Sequence, residues 1–251
     1  MGITPIESYP MPTPADLPAN IASWRVEPER AVLLIHDMQH YFLAPFARGA
    51  QPHTDLVHNV RALRERCAQL GIPVMYSAQP GGMSSRDRGL LADFWGPGMT
   101  AQARDRGIPD ELAPAPADTV LTKWRASAFH RSPLLELMRD AGRDQLIVCG
   151  VYAHVGVLLT AADAFANDIQ AFVVADAVAD FTPEFHRMAL DYVAIRCGAA
   201  VVAADVLGWL GASGAASAAS ASASTATATA TAAGSPAGVF AVANGGGEER
   251  R

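Results

Sequence analysis

The stretch that most limits how this chain can fold is Ala31-Val32-Leu33-Leu34-Ile35, which stops abruptly at His36-Asp37. A short apolar run without polar alternation reads as a strand buried on both faces, the usual situation in a parallel sheet covered by helices on either side. Gln145-Leu146-Ile147-Val148-Cys149 repeats the pattern, and shorter runs lie at 73–77, 119–122, 171–175 and 200–202. Helical signals fall between them. Leu56, Val60, Leu63, Cys67 and Leu70 recur at spacings of four and three, with Thr54 as the expected N-cap and Gly71 as the stop. Ser132-Pro133 opens a helix that Gly142 ends, another runs from Gly156 to about Asn167, and Thr182-Pro183 opens one reaching Cys197. Strands alternating with helices imply right-handed crossovers. The fold expected is α/β: a single doubly wound, Rossmann-like domain with a six-stranded parallel sheet flanked by helices.

Residues 1–30 carry Pro5, Pro10, Pro12, Pro14, Pro18 and Pro28 and read as an extended arm. From Gly211 the chain turns to Ala, Ser and Thr and closes on a glycine-rich, charged segment. So little there can be buried that a disordered tail is expected over 211–251, leaving 31–210 as the folded domain. A formal charge of −6 and an isoelectric point near 5.6 speak against nucleic acid as the partner. No apolar run approaches a membrane span, and the proline-rich N-terminus lacks a signal peptide's apolar core, so a cytoplasmic protein is expected. Cys67, Cys149 and Cys197 are odd in number, far apart and without a CxxC, which disfavours a disulfide framework or a zinc knuckle.

In a parallel sheet the carboxyl ends of the strands share one face, and ligands bind there. The ends bring His36 and Asp37, then Gln79, then Lys123 with Arg125, then Tyr152, His154 and Gly156, and finally Asp176 and Asp180. The two fully apolar strands are expected to be neighbours at the switch point, bringing Asp37 towards Gly156. An acid, a lysine, a glutamine and one or two arginines describe a site for a small anion, and Asp37 with Lys123 is in outline a proton-transfer pair. Each has a plainer reading: Asp37 as a turn or helix cap, Lys123 as a surface lysine, Arg88 as a solvated loop residue, Tyr152 as a packing ring, His154 as a core histidine. His36 and His40 straddle a strand end, so their spacing supplies no metal geometry. Ile35 is followed by His36-Asp37-Met38-Gln39, with neither a P-loop nor a GxGxxG, which counts against a nucleotide. The long connection from 79 to 118 reads as a functional loop or lid.

These residues fall into longer motifs: His36-Asp37-Met38-Gln39, Gln79-Pro80, Phe94-Trp95-Gly96-Pro97-Gly98, Lys123-Trp124-Arg125 with Ser127-Ala128-Phe129, and Gly150-Val151-Tyr152-Ala153-His154-Val155-Gly156. In this order they resemble the isochorismatase family, continuously from about Pro5 to Leu207. The resemblance leans to two branches, the stand-alone aminodeoxyisochorismate hydrolases of phenazine pathways and the isochorismatases of catechol siderophore pathways. It implies cofactor-free, metal-free hydrolysis of the enolpyruvyl ether of a chorismate-derived substrate, with either 2-amino-2-deoxyisochorismate or isochorismate as the substrate. Asp37 would be the general acid that protonates the vinyl carbon, and Lys123 would orient it or hold a substrate carboxylate. Gln79, Arg88, Tyr152 and the Gly156 backbone would hold the carboxylates and the ring hydroxyl or amine. Phe42 and Trp95 would shape the pocket.

The resemblance further implies a cis peptide at Val151-Tyr152 and a homodimer. The wider superfamily hydrolyses amides with a cysteine that would fall at Gly156; Cys149 lies inside a strand and cannot replace it, which disfavours a nicotinamidase-like mechanism. Two departures stand out. Ala126 occupies a position where both branches tend to carry tyrosine, and the place of a siderophore carrier domain holds the Ala/Ser/Thr tail. A non-catalytic binding protein on the same fold is the alternative from another class.

Overall fold

The computed structural model describes residues 3–212. Nearly all of the expected disordered tail, residues 213–251, lies outside the described residues.

Six strands form one sheet: β1 (Ala31–His36), β2 (Val74–Ala78), β3 (Thr119–Thr122), β4 (Gln145–Val151), β5 (Gln170–Ala179) and β6 (Ala199–Val201). Their order is β3-β2-β1-β4-β5-β6, and every neighbouring pair is parallel. The helices are α1 (His40–Leu43), α2 (His53–Gln69), α3 (Ser85–Arg88), α4 (Leu91–Trp95), α5 (Ala103–Arg106), α6 (Leu134–Asp140), α7 (Leu158–Ala166) and α8 (Pro183–Arg196), and residues 203–212 are helical as well. This is the doubly wound arrangement expected, and β1 and β4 are neighbours, with His36 opposite Gly150.

The burial of β1 explains its lack of alternation. Leu33 and Ile35 pack with Leu56, Val60, Leu63 and Cys67 of α2 in one core. Val32 and Leu34 face the other way, against Leu134, Met138, Ala161 and Ala189. Both faces of the strand are lined, so neither can be polar. The N-terminal arm is not free: Ile6, Tyr9, Met11 and Val26 are buried in the α2-side core, and Ile6 bridges to Phe46.

Local boundaries differ from the sequence reading in three places. The second helix starts at His53, with Pro52 and not Thr54 at its N-cap. Ser132 caps from two residues ahead, its hydroxyl accepting from the Leu134 N–H at 3.2 Å. β5 does not end at Asp176 but continues to Ala179, through a register shift between Val148 and Gly150 of β4. Asp176 is tolerated inside the strand because its carboxylate accepts from Ala203 N–H at 2.7 Å and its carbonyl from Asn59 at 2.6 Å.

Candidate active site

Three adjacent strands end at one point. Asp37 follows β1 with φ 51°, a left-handed conformation that a short polar side chain tolerates better than a bulky one. Its N–H donates to the Ser77 carbonyl of β2 at 3.1 Å, which fixes it to the neighbouring strand. One carboxylate oxygen accepts from Ser77 Oγ at 2.7 Å and the other from Lys123 Nζ at 2.8 Å. Lys123 is itself tethered, its N–H donating to Ala78 O at 2.9 Å just beyond the β2–β3 ladder. Asp37, Ser77 and Lys123 are all buried, so these contacts lie in a medium far less polar than water.

Beside this pair lies His36, fully buried, with Nδ1 2.8 Å from the Val151 carbonyl. A carbonyl only accepts, so Nδ1 carries the hydrogen. Burial pushes the imidazole down to about 4, and it is neutral at physiological pH. Val151-Tyr152 is a cis peptide. From there the chain makes a π-type turn over Ala153–Val157, closed by Val157 N–H to Tyr152 O at 3.2 Å, and runs into α7.

The connection between β2 and β3 supplies the cover. Gln39 anchors it, donating to Gln79 O at 2.9 Å and Arg106 O at 2.8 Å while accepting from Gln79 N–H at 2.8 Å. Arg88 is buried at the end of α3, and its guanidinium donates to Gly96 O at 2.9 Å and reaches Gln79 Oε1 at 3.4 Å. Gly98 makes room for it, since a Cβ there would lie 2.8 Å from Arg88 Cζ. Arg125 donates to the Asp87 and Trp124 carbonyls at 2.6 and 2.7 Å. Among the described residues, neither guanidinium has a carboxylate within 4.0 Å.

A cavity opens over these groups. All eight residues singled out from the sequence, Asp37, Phe42, Gln79, Arg88, Trp95, Lys123, Tyr152 and Gly156, border it. The Tyr152 hydroxyl is engaged elsewhere, donating to Phe42 O at 2.6 Å, so the cavity meets the Tyr152 ring. That ring stacks on Phe181 at 4.2 Å, which in turn stacks on Trp95 at 6.0 Å.

An isochorismatase domain model matches residues 31–206. The phenazine biosynthesis protein PhzD1 of Pseudomonas aeruginosa is 56% identical over 206 residues, 82% of this chain and 99% of that protein. The chain belongs to the isochorismatase family. An isochorismatase of Bacillus subtilis is 56% identical over 207 residues, 82% of this chain and 66% of that protein. Among solved structures, a cysteine hydrolase from Pseudomonas syringae superposes with a TM-score of 0.69 at 21% identity, covering 78% of this chain and 98% of that one, which speaks for the fold alone.

Not every strand end joins the isochorismatase-family cavity. Asp180 is buried away from it, accepting from His154 N–H and pairing with His154 Nδ1 at 2.6 and 2.7 Å. His154 stacks on Phe185 at 4.5 Å, outside the cavity lining. The sequence reading missed Ser77, Gln39, Tyr41 and Leu91. Ser77 carried no signal, sitting in an apolar strand where a serine reads as neutral filler. Among the described residues, no three His, Cys, Asp or Glu side chains cluster to hold a metal ion, and no helix is long and apolar enough to cross a membrane.

Proposed function

We propose that this isochorismatase-family hydrolase cleaves the enolpyruvyl ether of a chorismate-derived dianion and releases pyruvate, with 2-amino-2-deoxyisochorismate as the substrate and trans-2,3-dihydro-3-hydroxyanthranilate as the ring product. The observation that carries the reading is the buried Asp37, held between Ser77 and Lys123 in a cavity whose remaining cations, Arg88 and Arg125, have no carboxylate partner. Lys123 is engaged by Asp37, which leaves two guanidiniums for the two carboxylates of the substrate.

A vinyl ether yields to water once its methylene carbon is protonated. Asp37 must enter the cycle as the carboxylic acid; it delivers that proton, the ether oxygen shares the resulting positive charge, and water adds to the cationic carbon. The hemiketal collapses by breaking the bond between its central carbon and the ether oxygen: its hydroxyl becomes the pyruvate carbonyl and passes its proton to the ring oxygen, which stays on the ring as a hydroxyl, and the proton lost when water added returns to Asp37. Lys123 and Ser77 fix the direction of the carboxyl group, and Arg88 and Gln79 grip the carboxylates. No nucleophile is needed, and the cysteines suit none: Cys67 and Cys149 are buried, burial pushing the Cys67 thiol up to about 12 and the Cys149 thiol higher still.

Hydrolysis of isochorismate to 2,3-dihydro-2,3-dihydroxybenzoate is the second reading, supported by the equal identity to the Bacillus subtilis isochorismatase. Pyruvate release coupled to lactate dehydrogenase, with each substrate in turn, distinguishes them: faster turnover of the amino substrate supports the first, and of the hydroxy substrate the second. Asp37→Asn should lower kcat by roughly a hundred- to ten-thousand-fold while substrate still binds. Turnover by that variant at the parent rate excludes Asp37 as the acid, and substrate binding without pyruvate from the parent would favour a binding protein.

The domain proposed for this chemistry spans 31–210, with 1–30 as its arm, in a cytoplasmic homodimer. The second subunit is supported by an apolar stripe on the outer face of α8: Phe185, Met188, Tyr192 and Ile195, spaced three, four and three apart, are each 42–48% exposed. Leu159 and Phe165 of α7 are likewise exposed. Such a stripe is what a protein–protein contact covers.

A further inference from the structure

Residue 156 lines the cavity from the turn after β4. The volume a side chain there would need is already taken. A Cβ built on Gly156 would lie 2.1 Å from His36 Cε1, 2.8 Å from His36 Nε2 and 3.1 Å from the Ala126 carbonyl. Contacts below about 3 Å require something to move, and the two closest belong to one ring. That ring cannot yield easily: it is fully buried and tied by Nδ1 to Val151 O. Its backbone is pressed by a second glycine, since a Cβ on Gly150 would lie 2.2 Å from His36 O.

The other ring nitrogen has no hydrogen-bond partner. The Ala126 backbone is the neighbour nearest to pairing with it, and what the ring supplies at Gly156 is volume.

We propose that His36 is a positioning residue that decides the class of reaction: its imidazole fills the space of a side chain at position 156, closes the cavity floor to any nucleophile there, and leaves proton donation by Asp37 as the chemistry at the substrate. The catalytic half of this rests on the reading of Asp37 as the acid. The steric half can be measured without substrate.

The test is Gly156→Ala in two backgrounds, the parent and His36→Val, with His36→Ser as a second, smaller replacement. Melting temperature reads the packing. Gly156→Ala should lower Tm by several degrees in the parent, and by much less where residue 36 has been shortened. An equal loss in both backgrounds, or failure to fold in both, overturns the proposal and moves the clash to Ala126. Folding of Gly156→Ala only in the shortened background supports it. Pyruvate release reads the positioning: Gly156→Ala should lower kcat at least tenfold with KM changed less than threefold, and H36V/G156A should regain part of that kcat. A loss confined to KM would overturn the positioning role. If the parent releases no pyruvate, the functional reading fails while the Tm comparison still decides the packing. In H36V/G156C the introduced thiol should take up one equivalent of iodoacetamide in the folded protein, whereas the parent takes up none. An unreactive thiol would show that no nucleophile space has been opened.

Discussion

Arg88 is the residue whose cost and use are most plainly opposed. A guanidinium buried without a carboxylate is unfavourable, and burial pulls its pKa downward. It is held by neutral carbonyls and by Gln79, which satisfy its donors but not its charge. An incoming carboxylate would complete it. Arg88→Met should therefore raise KM for pyruvate release by ten-fold or more and change kcat less, because the lost interaction grips substrate and transition state alike. Arg88→Lys should recover little, since a point charge on a flexible stem cannot make the same forked contacts. Asp37 and Lys123 could be picked out as an acid–base pair because both follow apolar strands. Arg88 could not: in a long polar connection it is one arginine among several, and only the family resemblance marked it. His36 stands in the sequence only as a strand-end histidine whose spacing supplies no metal geometry, and its packing against Gly156 is a three-dimensional fact with no linear trace.

Among the elements, β1 and β4 were legible because both of their faces are buried, so the apolar run is unbroken. β5 was legible only as far as Asp176, where a polar side chain interrupts the run although the backbone goes on pairing with β4 as far as Ala179. The cover over the cavity was legible only as a long loop: α3, α4 and α5 have four or five residues each, too few for a helical period to repeat. α8 poses the opposite problem. Its buried face, with Ala189, Leu190, Val193 and Ala194, satisfies the core. The stripe Phe185, Met188, Tyr192 and Ile195 is then left exposed, and the proposed dimer would cover it. Met188→Glu with Tyr192→Glu should convert a dimer to a monomer in sedimentation velocity without loss of helical signal. A parent already monomeric at tens of micromolar would overturn the assignment of that face.

At the scale of the whole molecule, two neutral imidazoles link stability to acidity. Burial pushes both His36 and His186 down to about 4; His186 donates Nε2–H to Ala175 O at 3.0 Å, and its Nδ1 lies 3.3 Å from the Tyr9 hydroxyl. In the unfolded chain each would take a proton near pH 6.5. Their contribution is thus fully present above pH 6.5 and is lost as pH falls towards 4, because the unfolded state binds protons that the folded state refuses. Urea midpoints should fall steadily between pH 6.5 and 4, and His36→Val should flatten part of that slope. The molecule also divides its labour. Asp37, the proposed proton donor, and its two partners stand on the ends of β1, β2 and β3, in a register held by sheet hydrogen bonds, whereas Arg88 and Trp95 stand on the short helices laid across the opening. Evolution can therefore rewrite the lid to admit a new acid, residue by residue, while inheriting the chemistry underneath it intact.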